Sequence, residues 1–87
     1  MSTVTVRYFA VLRERLGLER EAVAVPASGT TLAELLAALA AVHGEAAVEA
    51  LTGPGVRIAV DDELVEADPG RLAPGATIAF LPPVTGG

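Results

Sequence analysis

Cysteine is absent from the 87-residue chain. The protein therefore cannot form a disulfide, a thiolate metal site or an iron–sulfur cluster, and any catalytic thiol has to come from a partner. All six basic side chains are arginines, and lysine, asparagine and glutamine are missing as well. Without a lysine amine, no side chain of this protein can accept an isopeptide bond. Stability has to come from one small apolar core.

Long apolar runs and clustered cations are also lacking. Although 52% of the residues are hydrophobic, glycine, proline or charge interrupts each run well before the roughly 18 residues that a membrane span requires. The N-terminus has no basic segment followed by an apolar stretch, so we expect a cytoplasmic location. The net charge of −5 disfavours nucleic-acid binding, which needs cations to displace counterions. We expect neither a membrane nor a nucleic-acid partner.

Alternating apolar and polar residues predict an opening hairpin. TVTVRYFA alternates as a half-buried strand does, and its predicted buried residues are Val4, Val6 and Tyr8. VLRERLG is predicted to form a short helical turn that Gly17 closes. REAVAV returns as a second strand that Pro26 ends.

The segment TTLAELLAALAAVHG gives the strongest helix prediction. Thr31 and Glu34 have the spacing of a capping box, and Gly44 suits the C-terminal end. Apolar residues at helical spacing predict a face that packs on a sheet, namely Leu32, Leu35, Leu36, Leu39 and Val42. Residues 45–52 predict a weaker helical or irregular connection.

Two further strands are predicted in VRIAV and ATIAFL, with a turn at Asp61 and Asp62 and a short strand at Glu63–Val65 between them. The order is strand, strand, helix, strand, short strand, strand. This is α+β and suits a β-grasp (ubiquitin-like) roll, in which one main helix packs across a mixed sheet whose first and last strands are parallel neighbours. A ferredoxin-like βαββαβ fold is the alternative. It needs a second helix, which only residues 45–52 could supply.

The isolated titratable residues give weak site signals. His43 is the only histidine, and we interpret it as a solvated helix-end residue because no serine or cysteine partner is evident. Five carboxylates could suggest a hard-cation site, but alternation along a strand would scatter them over both faces. They are Asp61, Asp62, Glu63, Glu66 and Asp68. We expect no bound metal.

Phe9 and Leu81 are predicted to point away from the core, because each falls on the face opposite the buried residues of its strand. If the two strands are parallel neighbours, both side chains lie near the end of the sheet where the chain leaves. Apolar groups beside a protruding terminus are typical of a docking surface.

The final segment, FLPPVTGG, predicts an extended tail. Pro82 and Pro83 lack amide hydrogens and favour extended backbone, so they end sheet pairing. We therefore divide the chain into a domain at 1–81 and a tail at 82–87, which can reach about 20 Å.

Gly86 and Gly87 have no Cβ, so the terminus can thread a narrow channel. Its carboxylate can attack the α-phosphate of ATP, and sulfur transfer onto the acyl adenylate would give a thiocarboxylate.

VRYFAVLRERLG, VRIAVDDELV and above all FLPPVTGG resemble the small subunits of molybdopterin synthase, a family of ubiquitin-like sulfur carriers. The resemblance implies that an ATP-dependent activating enzyme adenylates Gly87 and that a sulfur donor converts it to a thiocarboxylate. The tail would then enter the large synthase subunit, in a heterotetramer, and give sulfur to cyclic pyranopterin monophosphate to form the molybdopterin dithiolene. The chain would be a sulfurtransferase subunit that is not catalytic alone. It would bind no cofactor tightly, since the activating enzyme uses the ATP.

The resemblance also implies site residues by matching positions. The reacting end would be Gly86 and Gly87. The partner interface would comprise Phe9, Arg13, Leu64, Leu81, Pro82, Pro83, Val84 and Thr85. Family members commonly have an aromatic residue at the position of Leu81.

Two other functions share the fold and the Gly-Gly ending. The first is a sulfur carrier for another pathway, such as thiamine synthesis or tRNA thiolation, although Pro-Pro-Val-Thr does not specifically predict it. The second is a ubiquitin-like protein modifier that forms isopeptide bonds through Gly87. With no lysine here, chains through this domain's own side chains are impossible, but single conjugation to other proteins is not.

Overall fold

The computed structural model of the protein describes residues 2–83, which form seven strands and three helices. In chain order these are β1 (Ser2–Tyr8), α1 (Ala10–Leu16), β2 (Arg20–Val25), β3 (Thr30–Thr31), α2 (Leu32–His43), α3 (Glu45–Leu51), β4 (Arg57–Val60), β5 (Glu63–Val65), β6 (Arg71–Leu72) and β7 (Thr77–Leu81). The predicted main helix and the five main strands are confirmed. The segment after α2 is a regular helix, α3, rather than an irregular connection.

Five strands form a mixed sheet in the order β2-β1-β7-β4-β5. The central strands β1 and β7 are parallel, with Val6 opposite Ile78 and Tyr8 opposite Phe80, and every other pair in this sheet is antiparallel. Helices α2 and α3 follow each other with no strand between them, whereas a ferredoxin-like fold places two strands between its helices. The β-grasp prediction is therefore confirmed, and the ferredoxin-like alternative is wrong.

The core lies between the helices and one face of the sheet. The alternation in β1 and β7 is confirmed, because Val4, Val6, Tyr8, Ile78 and Phe80 are almost completely buried. Helical residues complete the cluster, with Leu12 and Leu16 from α1, Leu35 and Leu39 from α2, and Leu51 from α3. Tyr8 and Phe80 stack with ring centroids 6.3 Å apart, which fixes the two central strands side by side.

Helix α2 begins at the predicted capping box. The Glu34 amide donates to the Thr31 hydroxyl at 3.1 Å, and the Thr31 amide donates to the Glu34 carboxylate at 3.0 Å. This second bond is the main reason that the pKa of Glu34 is lowered. The prediction that Val42 belongs to the packed face is wrong, since its side chain is 72% exposed. In this last turn the side chain that contacts the sheet is instead that of His43.

His43 is not a solvated helix end, so that interpretation is wrong. Its Nε2 lies 2.7 Å from the Glu21 Oε2, and the Tyr8 hydroxyl donates to the same oxygen at 2.7 Å. The side chains of His43 and Glu21 are only 16% and 19% exposed. One carboxylate therefore joins β1, β2 and the end of α2. A buried polar cluster of this kind stabilises the fold only because its groups satisfy one another.

The Tyr8 hydroxyl should make stability fall at alkaline pH. Burial first, and then the hydrogen bond to Glu21, raise the pKa of Tyr8 above its usual value of 10.0. Stabilisation by the neutral hydroxyl is thus complete below about pH 10 and is lost as the pH rises further. Tyr8 is the only tyrosine, and lysine and cysteine are absent, so no other side chain titrates from pH 9 to 11. We expect the free energy of unfolding to decline above about pH 10 in the wild type and not in Tyr8→Phe. Urea denaturation of both proteins across this pH range checks the prediction. Equal losses of unfolding free energy in the wild type and in Tyr8→Phe would contradict it.

Candidate functional site

The face of the sheet away from the core carries the candidate site. Strand register aligns four side chains in one row across it, with Arg7 beside Ala79, Ala79 beside Ala59, and Ala59 beside Leu64. We call this surface the open face, because the helices described within residues 2–83 pack on the opposite side. The two alanines in the middle of this row are small, so the larger side chains of Arg7 and Leu64 at its ends are the ones that extend from the face.

Phe9 is held at the junction of β1 and α1. Its backbone is extended, and its carbonyl accepts hydrogen bonds from the amides of Leu12 and Arg13, so it starts the helix. The ring is partly exposed, and the Arg7 guanidinium carbon lies 4.9 Å from its centroid. A cation over an aromatic face is attractive, so Arg7 and Phe9 stabilise each other's position on the open face.

Four of the predicted interface residues line one groove, namely Leu64, Leu81, Pro82 and Pro83. The groove has a volume of about 740 Å³ and also contacts Ala10, Gly55 and Arg57. Leu64 is 56% exposed. A single exposed leucine is ordinary, but here it shares one groove with Leu81, Pro82 and Pro83, and a contiguous apolar surface is typical of an interaction site.

The structure does not bring all predicted residues together. Phe9 is placed outside the core as expected, but it does not line the groove, and Arg13 lies exposed on α1. Val84, Thr85, Gly86 and Gly87 lie outside the described residues. Their roles, like the docking role of Phe9 and Leu81, stay predictions.

Gly55 contributes to the site, and the sequence did not single it out. It has a φ of +81° in the turn before β4, and a Cβ at this position would lie 2.8 Å from the Pro83 Cβ. The turn is closed by a hydrogen bond from the Val56 amide to the Gly53 carbonyl at 3.2 Å. Glycine at 55 therefore allows the first residues of the tail to rest against this turn. The GPG sequence predicts a turn, but it carries no signal for contact with Pro83.

The candidate metal ligands in the described part of the chain are not grouped together. Within residues 2–83, no group of three or more histidine, aspartate or glutamate side chains is arranged to hold a metal ion. Asp61 has a structural role, because its carboxylate accepts a hydrogen bond from the Thr77 amide at 2.9 Å. None of the helices in this part of the chain could span a membrane. The described part of the site thus consists of an apolar groove and the point at which the tail leaves the sheet.

The sequence model of the ThiS family matches residues 6–87. The chain belongs to the ThiS family. This match includes the open face, the groove and the Gly-Gly end, and it places the protein among the ubiquitin-like sulfur carriers that its sequence resembles. No curated protein sequence is significantly similar to this ThiS-family chain.

Solved structures similar to this ThiS-family protein include SAMP1 and subunits of molybdopterin-converting factors. SAMP1 from Haloferax volcanii has a TM-score of 0.78 at 26% identity, covering 98% of this chain and 99% of that one. A putative molybdopterin converting factor subunit 1 from Pyrococcus furiosus has a TM-score of 0.74 at 26% identity, covering 97% and 100%. A complex of subunits 1 and 2 of the molybdopterin-converting factor from Helicobacter pylori gives 0.62 at 27% identity, covering 98% and 99%. SAMP1 and the molybdopterin-converting factor subunits thus share this fold. The fold therefore does not distinguish the two functions, and the choice between them depends on the site.

Proposed function

We propose that this protein is the sulfur-carrying small subunit of a molybdopterin synthase, with sulfur carried as a thiocarboxylate on Gly87. The proposal rests chiefly on one observation. Pro82 and Pro83 leave the sheet along a groove lined by the exposed Leu64 and by Leu81, so a partner that covers this groove would receive the tail. The Pro-Pro-Val-Thr-Gly-Gly ending and the similarity to a molybdopterin-converting factor subunit seen in complex with subunit 2 support it.

The chemistry takes place at the tail, and the domain positions it. In the activating enzyme, the Gly87 carboxylate attacks the α-phosphate of ATP, pyrophosphate leaves, and an acyl adenylate forms. A sulfur donor then replaces AMP, which leaves a thiocarboxylate. In the large subunit, the sulfur passes to cyclic pyranopterin monophosphate and water restores the carboxylate. Phe9, Leu64 and Leu81 contribute by holding the partner at the place where the tail leaves the domain.

Mass spectrometry tests the proposal. The intact protein is incubated with ATP, the activating enzyme and a sulfur donor from the same organism, and should gain the mass difference between sulfur and oxygen. Fragmentation should place this gain on Gly87, and a chain lacking Gly87 is the matched control that should show none. The sulfur-loaded protein should then convert the pyranopterin precursor when the large subunit is present, and the unmodified protein should not.

The similarity to SAMP1, whose name stands for small archaeal modifier protein 1, favours protein modification as the second candidate function. The same experiment separates the alternatives. Adducts on lysines of other proteins, with no sulfur gain, would indicate the modifier. Sulfur gain without conversion of the precursor would indicate a carrier for another pathway, such as thiamine synthesis or tRNA thiolation. Either result would overturn the molybdopterin proposal.

A further inference from the structure

The open face is cationic although the protein as a whole is acidic. Strand register directs Arg7, Arg20 and Arg57 to this face, and none of the strand residues that share it is a carboxylate. The whole chain has a net charge of −5, so its negative charge is concentrated elsewhere. Arg57 lines a second groove together with Glu66 and Asp68, which place carboxylates near it. Within residues 2–83, neither Arg7 nor Arg20 forms a salt bridge, and the salt bridge found there joins His43 to Glu21.

Arg7 and Arg20 lie directly opposite each other on neighbouring antiparallel strands. Like charges in this arrangement destabilise a sheet. The Arg7 Nε is buried and has no hydrogen-bond partner in the part of the chain that the structure describes. The Phe9 ring holds the same guanidinium in place, 4.9 Å from its centroid. The isolated domain thus keeps two facing cations, one of them stacked over an aromatic ring, at a cost in free energy that a carboxylate would relieve.

We propose that the partner covering the open face presents a carboxylate to Arg7 and Arg20, beside apolar groups that contact Phe9. This inference rests on the proposed function, since it takes the partner to be the large synthase subunit. A guanidinium binds a carboxylate through two parallel hydrogen bonds, and the attraction strengthens as the interface excludes water. The acidic remainder of the molecule disfavours an extended polyanion as the occupant. The partner surface is therefore an acidic and apolar patch of a protein.

Cross-linking tests the carboxylate directly, because the chain has no lysine. Arg7→Lys and Arg20→Lys each introduce a single side-chain amine, and a zero-length carbodiimide reagent joins such an amine only to a carboxylate in contact with it. The matched control is Arg71→Lys on β6, where the wild-type arginine contacts the Ser28 carbonyl. In complex with the large subunit, positions 7 and 20 should form amide links to its Asp or Glu residues, and position 71 should form none.

Binding measurements provide a second readout. Arg7→Gln and Arg20→Gln should each raise the Kd for the large subunit roughly tenfold at low salt and reduce its salt dependence, whereas Arg71→Gln should not. Arg20→Gln should leave the thermal stability of the free protein unchanged or higher, which a merely structural arginine would not do. A wild-type protein that does not bind the large subunit overturns both proposals. A complex that forms without links at 7 and 20, and with unchanged salt dependence in both variants, overturns this inference alone.

Discussion

Replacement of Phe9 by glutamate should weaken binding to the large subunit by about 3 kcal/mol, on the order of a 100-fold rise in Kd. The substitution removes an apolar side chain from the proposed interface. It also places a carboxylate beside Arg7. This carboxylate should pair with the Arg7 guanidinium, which is the group proposed to bind the partner. The ring lies outside the buried core, so the fold should persist. Calorimetric titration with the large subunit measures the effect, and thermal unfolding checks the fold.

Val42→Glu is the matched control for this experiment. Val42 is also an exposed apolar residue, 72% accessible on α2, but its helix packs on the side of the sheet opposite the open face. The same change of charge there should leave the affinity within about twofold of the wild type, because surface substitutions away from contacts have small effects. If the two variants bind equally well, Phe9 has no part in docking.

Gly55→Ala should slow sulfur transfer in the reconstituted synthase by roughly tenfold or more, since displacements near 1 Å can cost that much in a positioned reaction. The new Cβ would lie 2.8 Å from the Cβ of Pro83, closer than two carbons approach. Because both proline rings are stiff, the methyl group should displace the beginning of the tail rather than a flexible side-chain end. Single-turnover kinetics with the sulfur-loaded variant measure the change.

Gly70→Ala separates this positioning effect from backbone strain. Gly70 has a φ of +75°, close to the +81° of Gly55, but a Cβ there would meet nothing within 4 Å. Both variants should lose about 1 kcal/mol of stability from the left-handed backbone conformation. Only Gly55→Ala should also slow transfer. Equal transfer rates in the two variants would show that contact between the turn and Pro83 does not direct the tail.

Local pattern was sufficient to predict most of the sheet and the main helix. Alternation identified the buried residues of β1 and β7, because a strand with one covered face repeats every two residues. The capping box located the start of α2. The pairing of β3 with β6 was not predicted, because two-residue strands such as Thr30–Thr31 and Arg71–Leu72 are too short to show a period. Helical spacing also predicted that Val42 belongs to the core. That prediction is wrong because spacing does not show at which residue of the helix contact with the sheet ends.

The features that sequence reasoning missed depend on contacts between distant residues. His43 is joined to Glu21 and, through it, to Tyr8, and no short motif carries that arrangement. Gly55 matters because Pro83 rests against it. The outward placement of Phe9 and Leu81 could be predicted, since alternation within a single strand determines it. The pairing of Arg7 with Arg20 became evident only when the register of β1 and β2 was known.

The parallel pairing of β1 with β7 has a consequence for synthesis. Val6 becomes a neighbour of Ile78, so the centre of the sheet joins the two sequence-distant parts of the domain and cannot assemble while β7 is still inside the ribosome. Contacts of this separation also make folding slower than local ones do. The open face and the groove beside Pro82 come into existence only when the central strands meet. A nascent or truncated chain that lacks β7 therefore has neither a complete open face nor the groove, and the proposed docking would be confined to chains in which β7 has left the ribosome.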